Sequence, residues 1–367
     1  MLLRVEIDNF KNFNNVVFDL SNQYKYEFNQ EAISKENGCI TKGIIYGENG
    51  SGKSNLGLAI FDLVAHLTDN EVLDKYSIYT NLNSKKKKAS FKFEFVFDGK
   101  PLVYSYKKYS LYELVEESVI IDGEELIAYD YQDNSGFTKL KGTENLTLSG
   151  NLSNNTSRVK YILNTALLED NEINKIFLKF GTFVNRMLLF YSLETRGYQG
   201  FTTGTASIND GILRRKKLKD FESFLKENDI DYSLIEMEIN GVKQICCNFD
   251  GKIVSFFSIA STGTSTLALF YYWYIQMQEA SLVFIDEFDA FYHFSLSKNI
   301  VRMLKELTGT QVFLTTHNTD IMSNDLLRPD CYFEINKKIE CLADKTEKDL
   351  RKAHNLQKMY KAGAFNE

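Results

Sequence analysis

The run Gly47-Glu48-Asn49-Gly50-Ser51-Gly52-Lys53-Ser54 constrains this chain more than any other stretch. It follows the apolar Ile44-Ile45-Tyr46 and precedes a helical pattern at Leu56, Ile60, Leu63, Val64 and Leu67. It therefore reads as a P-loop between a buried strand and a helix. Glycines at 47, 50 and 52 let the backbone curl until successive N–H groups face phosphate oxygens, and the helix N-terminus adds positive potential. Lys53 then reaches the β- and γ-phosphates, and the Ser54 hydroxyl helps to hold Mg²⁺. The spacing thus implies ATP with Mg²⁺, with Gly47, Asn49, Gly50, Ser51, Gly52, Lys53, Ser54 and Asn55 as candidate nucleotide contacts.

A second segment answers the first. Ser281-Leu282-Val283-Phe284-Ile285-Asp286-Glu287 is an apolar run closed by two carboxylates, the pattern of a buried parallel strand that delivers acids to the carboxyl edge of a sheet. As a Walker B strand it assigns Asp286 to the metal shell and Glu287 to the attacking water as general base. Gln311-Val312-Phe313-Leu314-Thr315-Thr316 is a further buried strand, and it ends in His317. No Q-loop glutamine can be assigned.

The 367 residues, 44% hydrophobic, are enough for one large core or two moderate ones, with helices flanking a sheet. No apolar run reaches membrane-spanning length and Arg4 interrupts the N-terminus early, so a cytoplasmic protein with no membrane partner is expected. Cys39, Cys246, Cys247, Cys331 and Cys341 lack zinc-site spacing and read as buried thiols. A net charge of −6 gives no general attraction to nucleic acid. Only Lys85 to Lys88 and the cluster from Arg214 to Lys219 offer local basic patches, each readable as a solvated face or a phosphate contact.

Along the chain, residues 3–7 and 16–20 read as a hairpin, and strands at 91–95, 102–106 and 119–121 as antiparallel pairs turned by Asp98-Gly99 and Asp122-Gly123. Residues 132–157 read as an irregular loop, 158–192 and 209–227 as helical, and 233–257 as strands again. The expected divisions are 1–75 with the P-loop, a β-hairpin subdomain at 76–157, a helical insertion at 158–230, and 231–367 completing the core.

These motifs carry a family resemblance. Asn9-Phe10-Lys11-Asn12-Phe13 ahead of a Gly-x-Asn-Gly-x-Gly-Lys-Ser loop resembles the ABC-type ATPases of the SMC, Rad50 and RecF group. That group uses this turn near the nucleotide, which makes Lys11 and Asn12 candidates. Ser258 to Ser265, some twenty residues before the Walker B strand, resembles the ABC signature, with Ala260 where leucine is usual. The resemblance implies that Ser261 and Gly263 meet the γ-phosphate held by an opposite subunit, and that His317 is the switch histidine. Asp289 and His293 resemble the aspartate loop and Leu-His-Pro of related stand-alone ATPases, here without the proline. The tail at 350–365 is similar to that of the bacterial AAA15 or RloA-like ATPases of abortive-infection and anti-phage systems.

The resemblance implies an α/β fold: a P-loop NTPase of ABC-ATPase type with an N-terminal antiparallel β subdomain and a helical insertion. It implies catalytic Lys53, Glu287 and His317, metal-binding Ser54 and Asp286, and a head-to-tail homodimer sandwiching two ATPs, with higher assembly left open. Two roles follow for the ATP cycle. One is an infection sensor controlling a separate effector such as a nuclease, since the fifty residues after His317 leave no room for an appended Toprim domain. The other is a RecF-like DNA clamp. A membrane-transporter energy subunit is disfavoured by the long interval from Lys53 to Asp286.

Overall fold

The computed structural model describes residues 1–70, 75–148, 156–191, 197–200, 208–290, 292 and 294–365. Strands β1 (Leu2–Asp8) and β2 (Val16–Asp19) form the opening hairpin, and β3 (Lys42–Tyr46) leads through the P-loop into α1 (Lys53–Leu67). A meander follows: β4 (Ala89–Phe97), β5 (Lys100–Ser110), β6 (Glu113–Ile121), β7 (Glu124–Asp130) and β8 (Ser135–Thr138). Then come α2 (Arg158–Thr165), α3 (Glu172–Asn185), β9 (Met187–Tyr191), β10 (Gly197–Gly200), α4 (Ile208–Arg214) and α5 (Leu218–Glu227). The chain continues through β11 (Leu234–Ile239), β12 (Val242–Phe249), β13 (Lys252–Ser255), α6 (Phe256–Ile259), α7 (Thr262–Met277) and β14 (Leu282–Asp286). It closes with α8 (Phe294–Lys305), β15 (Gln311–Thr315), β16 (Tyr332–Ile335), β17 (Ile339–Cys341) and α9 (Leu356–Lys361).

Two seven-stranded sheets enclose α1. One is mostly parallel, in the order β10-β9-β14-β15-β3-β16-β17; the other is antiparallel, in the order β2-β1-β4-β5-β6-β7-β8. The parallel strands β3, β9, β14 and β15 are buried from end to end, as strands covered on both faces must be, whereas β4 alternates strictly between core and half-exposed positions. Because α1 lies between the sheets, it is apolar nearly all round: Leu56, Leu58, Ala59, Ile60, Phe61, Leu63 and Val64 are all buried. Gly57 is needed for that approach, since a Cβ there would stand 2.8 Å from the Phe284 ring. Midway along α1, Asp62 pairs with Lys108 of β5, 2.8 Å apart and fully buried. The sheets also meet directly, where Phe18 packs edge-on against Phe313 and Phe333.

The hairpin turns take the form their sequence predicts: Asp98-Gly99 and Asp122-Gly123 have positive φ at both residues, the type I′ geometry suited to strand twist. Two divisions differ from expectation. The opening hairpin is continuous with the meander through β1–β4 pairing, so the antiparallel sheet crosses the boundary drawn at residue 75. The segment read as helical to 192 contains β9, a core strand parallel to β14. Met187-Leu188-Leu189-Phe190-Tyr191 is uniformly apolar, a run whose period cannot separate helix from buried strand. The second helical segment is also broken, at Lys216, which has φ 55°.

All five cysteines are buried and free of disulfides. Among the described residues no helix is long and apolar enough to cross a membrane.

Candidate functional site

The parallel sheet brings the carboxyl ends of β3, β15, β14 and β9 side by side, and each contributes to one cleft. Its lining includes Asn49, Gly50, Gly52, Lys53, Ser54, Asn55, Asp286, Glu287 and His317, around a cavity of about 330 Å³. A larger cavity, about 780 Å³, lies on the outer face of the antiparallel sheet among Glu6, Lys92, Lys107 and Glu116. That one has no phosphate-binding loop, so the smaller is the candidate site.

The P-loop geometry explains its glycines. Gly50 and Gly52 have φ of 78° and 114°, and a Cβ on Gly52 would fall 2.7 Å from the Phe13 ring. A Cβ on Gly47 would stand 2.4 Å from Ser51 Oγ. Asn12, from the turn after β1, donates to Ser51 O at 3.0 Å and accepts from Asn55 at 2.8 Å, so it braces the loop. Lys11 instead turns away and donates to Lys75 O.

Lys53 Nζ lies 2.9 Å from Gly47 O, 2.8 Å from His317 Nε2 and 3.6 Å from Glu287 Oε1. His317 Nε2 is 3.0 Å from the same Glu287 oxygen. With a lone pair at Nε2 the imidazole accepts from Lys53, and with a proton there it donates to Glu287. Burial pushes the Glu287 carboxyl above the ordinary glutamate value, while His317 and Lys53 pull it back. Burial likewise lowers Lys53, against the pull of Glu287 and Asp286.

Ser54 Oγ donates to Asp286 Oδ2 at 2.7 Å, so a hydroxyl and a carboxylate meet at the foot of the loop. Hard oxygens in this pairing fit Mg²⁺, which takes few protein ligands beside nucleotide oxygens. Among the described residues no group of three or more His, Cys, Asp or Glu side chains is arranged to hold a metal ion by itself, and such a site needs none.

Asp289 accepts from Thr316 Oγ1 at 2.6 Å beside the cleft, and burial raises its carboxyl. Ser261 and Gly263 open α7, where Ser261 Oγ caps the helix by accepting from Thr264 N; neither lines the cleft that holds Lys53. His293 lies outside the described residues. Tyr191 lines the cleft from the end of β9 and was missed by sequence reasoning, because the strand that delivers it was read as helix. The basic cluster is largely spent within the chain: Arg214 pairs with Asp210, Lys217 with Asp220 and Lys219 with Glu222.

Comparisons with known proteins agree with this architecture. A head domain of an SMC protein bound to the C-winged helix domain of ScpA superposes with a TM-score of 0.51 at 16% identity, covering 92% of this chain and 96% of that one. The SMC head domain from Thermotoga maritima gives 0.41 at 15% identity, covering 92% and 97%. The recombination mediator protein RecF of the RecFOR pathway gives 0.37 at 17%, covering 93% and 98%. At such identities the likeness is one of fold, and the first carries it. No curated protein matches the sequence. The family model described as "AAA domain, putative AbiEii toxin, Type IV TA system" matches residues 44–323, which hold the P-loop, Asp286-Glu287 and His317. The chain belongs to that AAA family, and it builds its nucleotide-binding type of site on an ABC-type P-loop fold.

Proposed function

We propose that this protein is a Mg²⁺-dependent ATPase that works as an ATP-gated dimer and controls a separate effector in bacterial defence. The observation that carries the enzymatic part is the convergence of Lys53, Ser54, Asp286, Glu287 and His317 in one cleft below a glycine-cradled loop. Lys53 and the loop amides hold the β- and γ-phosphates of ATP. Ser54 and Asp286 would hold Mg²⁺, which would supply neutralisation of charge on the phosphate oxygens. Glu287 takes the proton of the attacking water, and its raised pKa brings it nearer to the working pH of a general base. An entering γ-phosphate competes with Glu287 for the Lys53 and His317 donors, which frees the carboxylate for water.

Ser261 and Gly263 stand at a helix N-terminus away from the chain's own cleft. That placement supports a head-to-tail pair in which each α7 faces the partner's γ-phosphate. The family description, a putative AbiEii toxin of a type IV toxin–antitoxin system, supports a regulated effector rather than housekeeping hydrolysis. The effector we expect is a nuclease encoded apart from this chain.

The test is capture of the Glu287→Gln protein with Mg²⁺ and ATP from its native host, with and without nuclease treatment. A stoichiometric protein that survives nuclease supports the effector reading. Recovery of DNA alone, lost at moderate salt, replaces it with a RecF-like clamp.

A further inference from the structure

The two carboxylates at the end of β14 are not set by β14 alone. Thr315 lies on β15, one residue beyond the Ile285–Leu314 pair, at the level of Asp286. Its side chain is fully buried. Its hydroxyl donates to Asp286 Oδ1 at 2.7 Å and accepts from the Glu287 backbone N–H at 2.8 Å. One hydroxyl has one proton to give, and here both the proton and a lone pair are committed.

Each of those bonds fixes something the chemistry needs. Asp286 has Ser54 on one oxygen and Thr315 on the other, so its carboxylate plane is set from both sides. Glu287 has φ 48°, a left-handed conformation that a glutamate rarely takes. That turn of the backbone lets consecutive residues both face the cleft, instead of alternating across the sheet. The Thr315 hydroxyl on the Glu287 amide holds the turn in place.

We infer that Thr315 is the positioning residue that orients both the metal-binding Asp286 and the general base Glu287. The inference rests on the reading of this cleft as an ATPase site. Thr316 and His317 extend the same grip along the chain, to Asp289 and Glu287 respectively, so three successive side chains hold the acidic turn.

The test compares full-length wild type with Thr315→Val, which keeps the branched shape and loses the hydroxyl, and with Thr315→Ser, which keeps the hydroxyl. Mn²⁺ is titrated into each protein with a non-hydrolysable ATP analogue and free Mn²⁺ is read by EPR, alongside steady-state hydrolysis and thermal melting. Removing an outer-shell partner of this kind typically costs about 10–100-fold in metal affinity or activity. Thr315→Val should show that loss in Mn²⁺ affinity and in kcat with KM for ATP little changed, and Thr315→Ser should restore both. If wild type binds Mn²⁺ with the analogue and Thr315→Val matches it in affinity and kcat, whatever its melting temperature, the inference fails alone. If wild type binds no metal–nucleotide pair, the reading of the cleft fails and takes the inference with it.

Discussion

Lys108→Met is the sharpest test of how α1 is held. The Lys108 ammonium and the Asp62 carboxylate are 2.8 Å apart with no exposure on either side chain. Asp62 also accepts from Tyr79 OH at 3.0 Å and Tyr106 OH at 2.9 Å. Methionine fills the volume of the lysine stem but leaves the carboxylate buried without a counter-charge. Breaking a buried pair from one side costs about 3–5 kcal/mol. The two tyrosine donors remain, which places the expected loss near the lower end, about 3 kcal/mol, or more than a hundredfold in the folded-to-unfolded ratio. Urea denaturation followed by tyrosine fluorescence and far-UV circular dichroism measures it. The double variant Asp62→Asn with Lys108→Met removes both charges and should recover most of the loss, because a neutral amide keeps an acceptor for a tyrosine. A single variant within about 1 kcal/mol of wild type would refute the reasoning, since a pair worth that little belongs to exposed surfaces.

The nucleotide site gives further predictions. Gly52→Ala forces a side chain into a backbone with φ 114° against Phe13 and Asn12, so ATP affinity by calorimetry should fall about 5- to 100-fold, through strain of about 1–3 kcal/mol. Asp286→Asn should leave metal-free nucleotide binding intact while Mg²⁺ no longer strengthens it, measured with a fluorescent ATP analogue. The acid limb of kcat/KM against pH should lie above the ordinary glutamate value: only the ionised Glu287 can accept a proton, and burial raises the pH at which it ionises in the free protein. A limb at or below the ordinary value would assign the base elsewhere.

Much of the site was legible in the sequence because phosphate binding and metal coordination demand particular residues at fixed spacing. Gly47 to Ser54 and Asp286-Glu287 are far apart in the chain, yet each carries its own strand signal, and parallel strands side by side leave their carboxyl ends in one place. The Asp-Gly turns were legible for a similar local reason. What was not legible depends on pairing. β9 has no alternation and no turn residue to mark it, so Tyr191 could not be placed until the strand was seen beside β14. The two hydroxyls of Thr315 and Thr316 read only as strand-formers, since nothing local tells that they reach across to Asp286 and Asp289. Likewise nothing local marks Lys108, whose partner is 46 residues away on the P-loop helix.

The central claim, an ATPase whose hydrolysis depends on Glu287 and on a second copy, is tested most directly by sizing the Glu287→Gln protein with Mg²⁺ and ATP while turnover is followed in parallel. Loss of the base should lower kcat by about 10²- to 10⁴-fold. ATP binding should survive, and a dimer should accumulate that Ser261→Arg abolishes. A Glu287→Gln protein that hydrolyses ATP at the wild-type rate, or that stays monomeric when saturated with ATP and Mg²⁺, contradicts the account.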